Sequence, residues 1–98
     1  MKFEIDGELQ YTWPRILQTA GYHEHSGAYV KRLSRDYYPR WHVHLLEERD
    51  NYLLFNLHLD QRPGVHQGAT AHAGEYEGEL VETERARLID IFTNNKTI

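Results

Sequence analysis

The stretch WHVHLLEERDNYLLFNLHLD, residues 41–60, decides the fold, because it contains two runs in which apolar and polar residues alternate. Such alternation is typical of β-strands with one buried face, and it predicts strands over residues 41–46 and 52–60. The intervening Arg49-Asp50-Asn51 predicts a three-residue hairpin loop in which Asn51 takes the left-handed conformation. The two strands are therefore expected to be antiparallel neighbours.

The parity of the apolar residues sets the predicted register of this hairpin. Both strands carry most of their apolar residues at odd positions, and directly opposed residues of an antiparallel pair point to the same face. We call the odd side the core face and the even side the histidine face, which carries His42, His44, Asn56, His58 and Asp60. The predicted pairs are Glu48 with Tyr52, Leu46 with Leu54, His44 with Asn56, and His42 with His58.

Further strands are predicted on the N-terminal side of this hairpin. Residues 27–34 form a strand candidate whose connection through residues 35–39 would pair Leu33 with Trp41 and place Arg32 beside His42. Lys2 to Asp6 also alternates and ends at the turn dipeptide Asp6-Gly7. The expected sheet is thus an antiparallel meander of three to four strands.

Two helices and one long loop complete the predicted α+β domain, which spans residues 1–98 as a single unit. A short helix is expected over residues 13–20, between a Thr12 N-cap and a Gly21 stop. A C-terminal helix from about Leu80 to Thr93 places apolar residues at helical spacing, and both helices should pack on the core face. Residues 61–79 are rich in glycine and predict a long loop that could cover the histidine face as a lid.

Composition narrows the function further. The chain has seven histidines, no cysteine and a net charge of −4, so disulfides, thiolate metal sites and cysteine nucleophiles are excluded. The acidic balance argues against a dedicated duplex-DNA binder. No apolar leader or membrane-length run is present in the sequence, so we expect a cytoplasmic protein with no membrane partner.

The histidine face is the main candidate site. His42, His44 and His58 would lie close together there, and three imidazoles are a plausible ligand set for a divalent metal such as zinc. Such a metal could generate hydroxide from bound water, which would make these three histidines catalytic in a hydrolytic reaction. The simpler interpretation is a half-exposed polar sheet face that happens to use histidine.

An anionic small molecule is a second possible ligand of the same face. Arg32 beside the histidines could bind an oxyanion, with Asp60 from the strand and with His72 and Glu75 from the loop as further ligand-binding candidates. The run of residues 42–46, His-Val-His-Leu-Leu, resembles the core of the histidine-triad nucleotide hydrolases, which alternate three histidines with apolar residues. Leu46 stands where the third histidine would be, so no role is carried over from that family.

A non-enzymatic interaction module is the alternative class. Residues 31–41 combine basic and aromatic side chains that could contact RNA or an acidic protein surface, namely Arg32, Arg35, Tyr37, Tyr38, Arg40 and Trp41. The same residues could instead form a turn whose aromatic rings cap the core. His23-Glu24-His25 follows the predicted helix stop and is expected to lie in an exposed loop.

Overall fold

The computed structural model describes the backbone of residues 1–61 and 70–97, and the side chains of residues 1–61 and 78–97. The fold is α+β, with a five-stranded antiparallel sheet and two helices. Along the sheet the strand order is β1-β5-β4-β3-β2. The elements in chain order are β1 Lys2–Asp6, α1 Trp13–Thr19, β2 His23–His25, β3 Ala28–Arg32, β4 Arg40–Arg49, β5 Tyr52–Asp60 and α2 Thr70–Asn94.

The sheet has one strand more than the predicted three to four, because β2 adds an edge strand next to β3. β1 pairs with β5 and sets Phe3 opposite Phe55. At the other edge β2 pairs with β3, so the expectation of an exposed loop at His23–His25 was wrong. The turn between them has positive φ at Ser26 and Gly27, 52° and 83°, which is the conformation of a tight hairpin. The Ser-Gly dipeptide was the available signal.

The β4–β5 hairpin confirms the predicted pairing of His42 with His58 and of His44 with Asn56, but it reaches that pairing by a different route. Arg49 pairs directly with Tyr52, so the turn has two residues, with Asn51 left-handed as predicted (φ 57°). A β-bulge between Leu45 and Glu47 then adds one residue to β4. The predicted pairs of Leu46 with Leu54 and of Glu48 with Tyr52 were therefore wrong.

The register between β3 and β4 differs from the prediction by two residues. Val30, not Arg32, lies opposite His42, and Arg32 lies opposite Arg40. The cause is the longer connection between the strands. Leu33 falls outside β3, where its amide donates a 3.3 Å hydrogen bond to the carbonyl of Pro39. The expectation that Arg32 lies beside His42 was thus wrong.

The core lies between the odd side of the sheet and the two helices. The sheet contributes the odd residues of β1, β4 and β5, and both helices contribute their apolar faces. α1 begins after Thr12, whose carbonyl accepts a hydrogen bond from the Ile16 amide, and ends before Gly21, which has φ 102°. The most deeply buried members are Phe55, Phe92, Ile16, Leu17, Leu57 and Leu88.

The C-terminal helix α2 is longer than predicted and begins at Thr70. The expected loop over residues 61–79 is therefore wrong for residues 70–79. Glycine costs a helix about 1 kcal/mol, and two glycines among alanine and glutamate residues did not end this one. The rest of the predicted lid, residues 62–69, lies outside the described residues. Within the described part of the chain, no helix has the length and apolar character needed to cross a membrane.

Candidate functional site

Three imidazoles form a compact group on the histidine face. His42 and His44 lie two residues apart on β4 and so project to the same side of the sheet, and His58 lies opposite His42 on β5. Their ring centroids are 4.2 Å apart for His42 and His44, 4.7 Å for His42 and His58, and 5.5 Å for His44 and His58. One nitrogen from each ring lies within 4.8 Å of the others, so this group could hold a metal ion.

The carboxylate of Asp60 joins this group from the end of β5. Nδ1 of His42 lies 2.9 Å from Nε2 of His58. Oδ1 of Asp60 lies 3.0 Å from the same Nε2, and Oδ2 lies 3.5 Å from Nδ1 of His42. Two ring nitrogens and two carboxylate oxygens therefore point at one another across a small gap.

Without a cation, the donors and acceptors of these atoms cannot all be paired. Nε2 of His58 faces both His42 and Asp60 but can carry only one proton. If the facing nitrogens of both rings were protonated, two N–H groups would oppose each other at 2.9 Å. The set satisfies itself only by sharing one proton among several acceptors, whereas a metal ion would accept lone pairs from both rings and from the carboxylate.

The electrostatic environment keeps His42 in the neutral form that binds metals. Burial lowers the pKa of His42 below its usual value of 6.5, and His44, His58 and Arg40 lower it further, while the negative charge of Asp60 opposes the shift. A neutral imidazole offers a free lone pair near neutral pH. His42 is thus available as a ligand without first having to lose a proton.

Arg40 is the charged neighbour of the group that sequence reasoning missed. It is only 8% exposed, and its Nε has no hydrogen-bond partner among the described residues. The nearest carboxylate oxygen is Oδ2 of Asp60, at 3.9 Å. The signal was present, since Arg40 has the even parity of the histidine face and pairs directly with Asp60.

A loop of aromatic residues forms one wall of the site. The guanidinium of Arg40 lies 4.5 Å from the ring centroid of Tyr37 and 4.9 Å from that of Tyr38. The Tyr37 hydroxyl is 3.4 Å from Nε2 of His25 on the edge strand β2. Because Tyr37 contacts both β4 and β2, it spans the intervening β3, where Val30 is only 1% exposed. The loop between β3 and β4 therefore folds back over the histidine face.

The structure brings together four of the residues singled out from the sequence, and it separates the others. His42, His44, His58 and Asp60 form one cluster. Arg32 is exposed, and its guanidinium lies 5.1 Å from the ring centroid of Tyr37. His72 and Glu75, predicted as loop residues, lie in the first turns of α2, and their side chains lie outside the described residues.

Comparison with known proteins adds no assignment. No family model, no curated protein and no solved structure matches the chain. The short resemblance of residues 42–46 to the histidine-triad hydrolases therefore receives no support from a family match.

Proposed function

We propose that this protein binds a divalent transition metal ion, zinc being the best fit, through His42, His44 and His58. The observation that carries the proposal is that one ring nitrogen from each of the three histidines lies within 4.8 Å of the other two. Ring nitrogens of His42 and His58 and the carboxylate oxygens of Asp60 also converge at 2.9, 3.0 and 3.5 Å. Ligands about 2.0–2.1 Å from a tetrahedral zinc ion are about 3.3 Å from one another. The separations among His42, His58 and Asp60 scatter around that value. The ring nitrogens of all three histidines lie within 4.8 Å of one another, so side-chain rotation would have to bring them closer around the ion.

The chemistry of the donors favours zinc or a neighbouring first-row metal. Imidazole nitrogen suits zinc, copper and nickel, whereas calcium and magnesium prefer shells made of oxygen. The alternative of a merely polar sheet face does not account for the crowding. Half-exposed polar side chains can reach water independently, yet here the ring centroids of three imidazoles lie within 5.5 Å of one another.

The two other sequence-based candidates have weaker support. Binding of an anion relied on Arg32 beside His42, and the observed register separates these residues. The candidate module that binds RNA or an acidic protein surface relied on the side chains of residues 31–41. Arg40 and Trp41 are buried and so do not present their side chains to a partner, although Tyr37 is 43% exposed. Metal binding uses the cluster as it stands and is therefore the preferred proposal.

Titration of tag-free protein with zinc at pH 7.5 in a calorimeter tests the proposal directly. We expect one ion per chain with a Kd in the micromolar range or tighter, and we expect the double variant His42→Ala/His58→Ala to lose that binding. The control is His23→Ala, which removes an exposed imidazole from the edge strand of the same sheet. Wild-type protein that takes up no zinc, or a cluster variant that binds as well as the control, would refute the proposal.

A further inference from the structure

We infer that Asp60 is the fourth protein ligand of this metal, and that Arg40 holds the carboxylate oxygen that does not ligate. The inference rests on the proposed metal-binding function and specifies the ligand set. It makes the site a closed one, with four protein ligands, and not an open site with three histidines and a reactive water. The protein would then retain a metal ion and not use it for hydrolysis.

Geometry is the first argument for Asp60. Its Oδ1 lies 3.0 Å from Nε2 of His58, and its Oδ2 lies 3.5 Å from Nδ1 of His42. The 3.0 Å distance from Oδ1, the proposed ligand atom, is close to the separation of about 3.3 Å expected between two ligands of one tetrahedral zinc ion. A carboxylate oxygen this close to the ring nitrogens can take the coordination position that a water molecule would otherwise fill. Asp60 therefore lies where a fourth ligand would be.

Charge is the second argument. A dication bound by three neutral imidazoles keeps its full charge of +2, and Arg40 adds another positive charge that is buried beside it. Asp60 stands between the two, 3.9 Å from Nε of Arg40 and within 3.5 Å of the ring nitrogens that would hold the ion. Its single negative charge then neutralises part of both cations. Without Asp60 a metal and Arg40 would repel each other in a partly desolvated site.

The third argument is that Nε of Arg40 has no hydrogen-bond partner among the residues that the structure describes. A buried charged donor without an acceptor is costly, and Tyr37 and Tyr38 hold the guanidinium in place against their rings. If Oδ1 of Asp60 turns toward the metal, Oδ2 has to move by about 1 Å to reach the N–H···O distance of about 2.9 Å. Metal binding would thus satisfy Arg40 as well, which makes Arg40 a positioning residue for Asp60.

Cobalt(II) substitution tests the ligand set, because its visible spectrum reports both coordination geometry and access of added anions. We expect the wild-type cobalt protein to show the intense absorption of a four-coordinate site, unchanged by added azide. Asp60→Ala should bind cobalt at least about tenfold more weakly, and azide should change its spectrum, since a water molecule replaces the carboxylate. Glu47→Ala, which removes a carboxylate near the hairpin end of β4, serves as the matched control and should behave as wild type.

The role of Arg40 has its own readout. Arg40→Gln should make the cobalt spectrum sensitive to azide, and Arg40→Lys should restore insensitivity; each variant is first checked for an unchanged circular dichroism spectrum. Failure of the wild type to bind cobalt or zinc at all would refute the proposed function. Binding by the wild type with an azide-sensitive spectrum, and with unchanged affinity in Asp60→Ala, would refute the closed site alone. An azide-insensitive Arg40→Gln protein would remove the positioning role of Arg40.

Discussion

The two faces of the central hairpin differ completely in character, although they are made from alternate residues of the same strands. On the core face Phe55 and Leu57 are fully buried between the helices and the sheet. On the histidine face, one residue away along the chain, Asn56 and His58 are only partly buried. Because successive residues of a strand point to opposite sides, the residues that stabilise the core differ from those that carry the proposed metal site. Substitutions on one face should therefore leave the property of the other largely intact.

Substitution of Phe55, a fully buried ring, should have the largest effect on the free energy of unfolding. Phe55 packs against Phe3, Trp13 and Phe92, and Phe55→Ala should lower the free energy of unfolding by about 3–5 kcal/mol. Asn56→Ala, the neighbouring residue on the opposite face, should cost less than about 1 kcal/mol. Urea denaturation of both variants measures the difference. Because Phe55→Ala could unfold so small a domain, Phe55→Leu is the milder companion, with an expected cost below about 1.5 kcal/mol. Comparable losses at positions 55 and 56 would contradict the separation of the two faces.

Metal should stabilise the protein from the histidine face without any change in the core. A ligand present at 100 times its Kd that binds only the folded state adds about 2.7 kcal/mol to the free energy of unfolding. For a domain of this size the corresponding rise in melting temperature is about 10 °C or more. We expect zinc to produce that rise in the wild type and in Leu57→Ala, and to produce none in His42→Ala/His58→Ala. Thermal denaturation with and without zinc gives the answer, and a zinc-induced rise in the double histidine variant would place the metal elsewhere.

The same contrast between faces explains how far sequence reasoning reached. Parity alone was enough to separate the core face from the histidine face and to pair His42 with His58, because a slip of one residue would bury every imidazole. It could not show that a two-residue turn and a bulge at Leu46 together give the same pairing as a three-residue loop. The β3 register was wrong because seven connecting residues leave several registers sterically open. Arg40 was missed as a neighbour of the site because the strand was predicted to begin at Trp41, whereas β4 begins at Arg40. Its contacts with Tyr37 and Tyr38, which fold back from a loop, could not be predicted from parity.

Acidification should destabilise the metal-free protein through His42. Burial lowers the pKa of His42 below 6.5 in the folded state, so the unfolded chain takes up that proton first. The contribution of His42 to stability is therefore present above pH 6.5 and is lost as the pH falls from 6.5 through the lower folded-state pKa. We expect the urea midpoint to fall over this range, and His42→Gln to flatten part of that fall. A midpoint that drops equally in both proteins would assign the effect to other groups.

Deletion of Leu46 should have the smallest effect on stability and on zinc binding, although it removes a residue from the middle of a strand. Leu46 is the extra residue of the bulge and is 49% exposed, so it contributes little to the core. Deleting it would leave Glu47 opposite Leu54, Leu45 opposite Phe55 and His44 opposite Asn56, which is a regular hairpin with a two-residue turn. The pairing of His42 with His58 is then preserved, and both faces keep their residues.

We therefore expect the Leu46 deletion to fold, to change the free energy of unfolding by less than about 1 kcal/mol, and to bind zinc with nearly the wild-type Kd. Deletion of Asn56 is the control, because that residue is paired on both sides, with His44 and with Lys2. Its removal shifts the register of residues 57–60 by one position, so that His58 points toward the core. This control should unfold the protein or abolish zinc binding. If the Leu46 deletion behaves like the Asn56 deletion, the bulge itself is required to aim the imidazoles, and the separation of the two faces depends on that bulge and not on strand alternation alone.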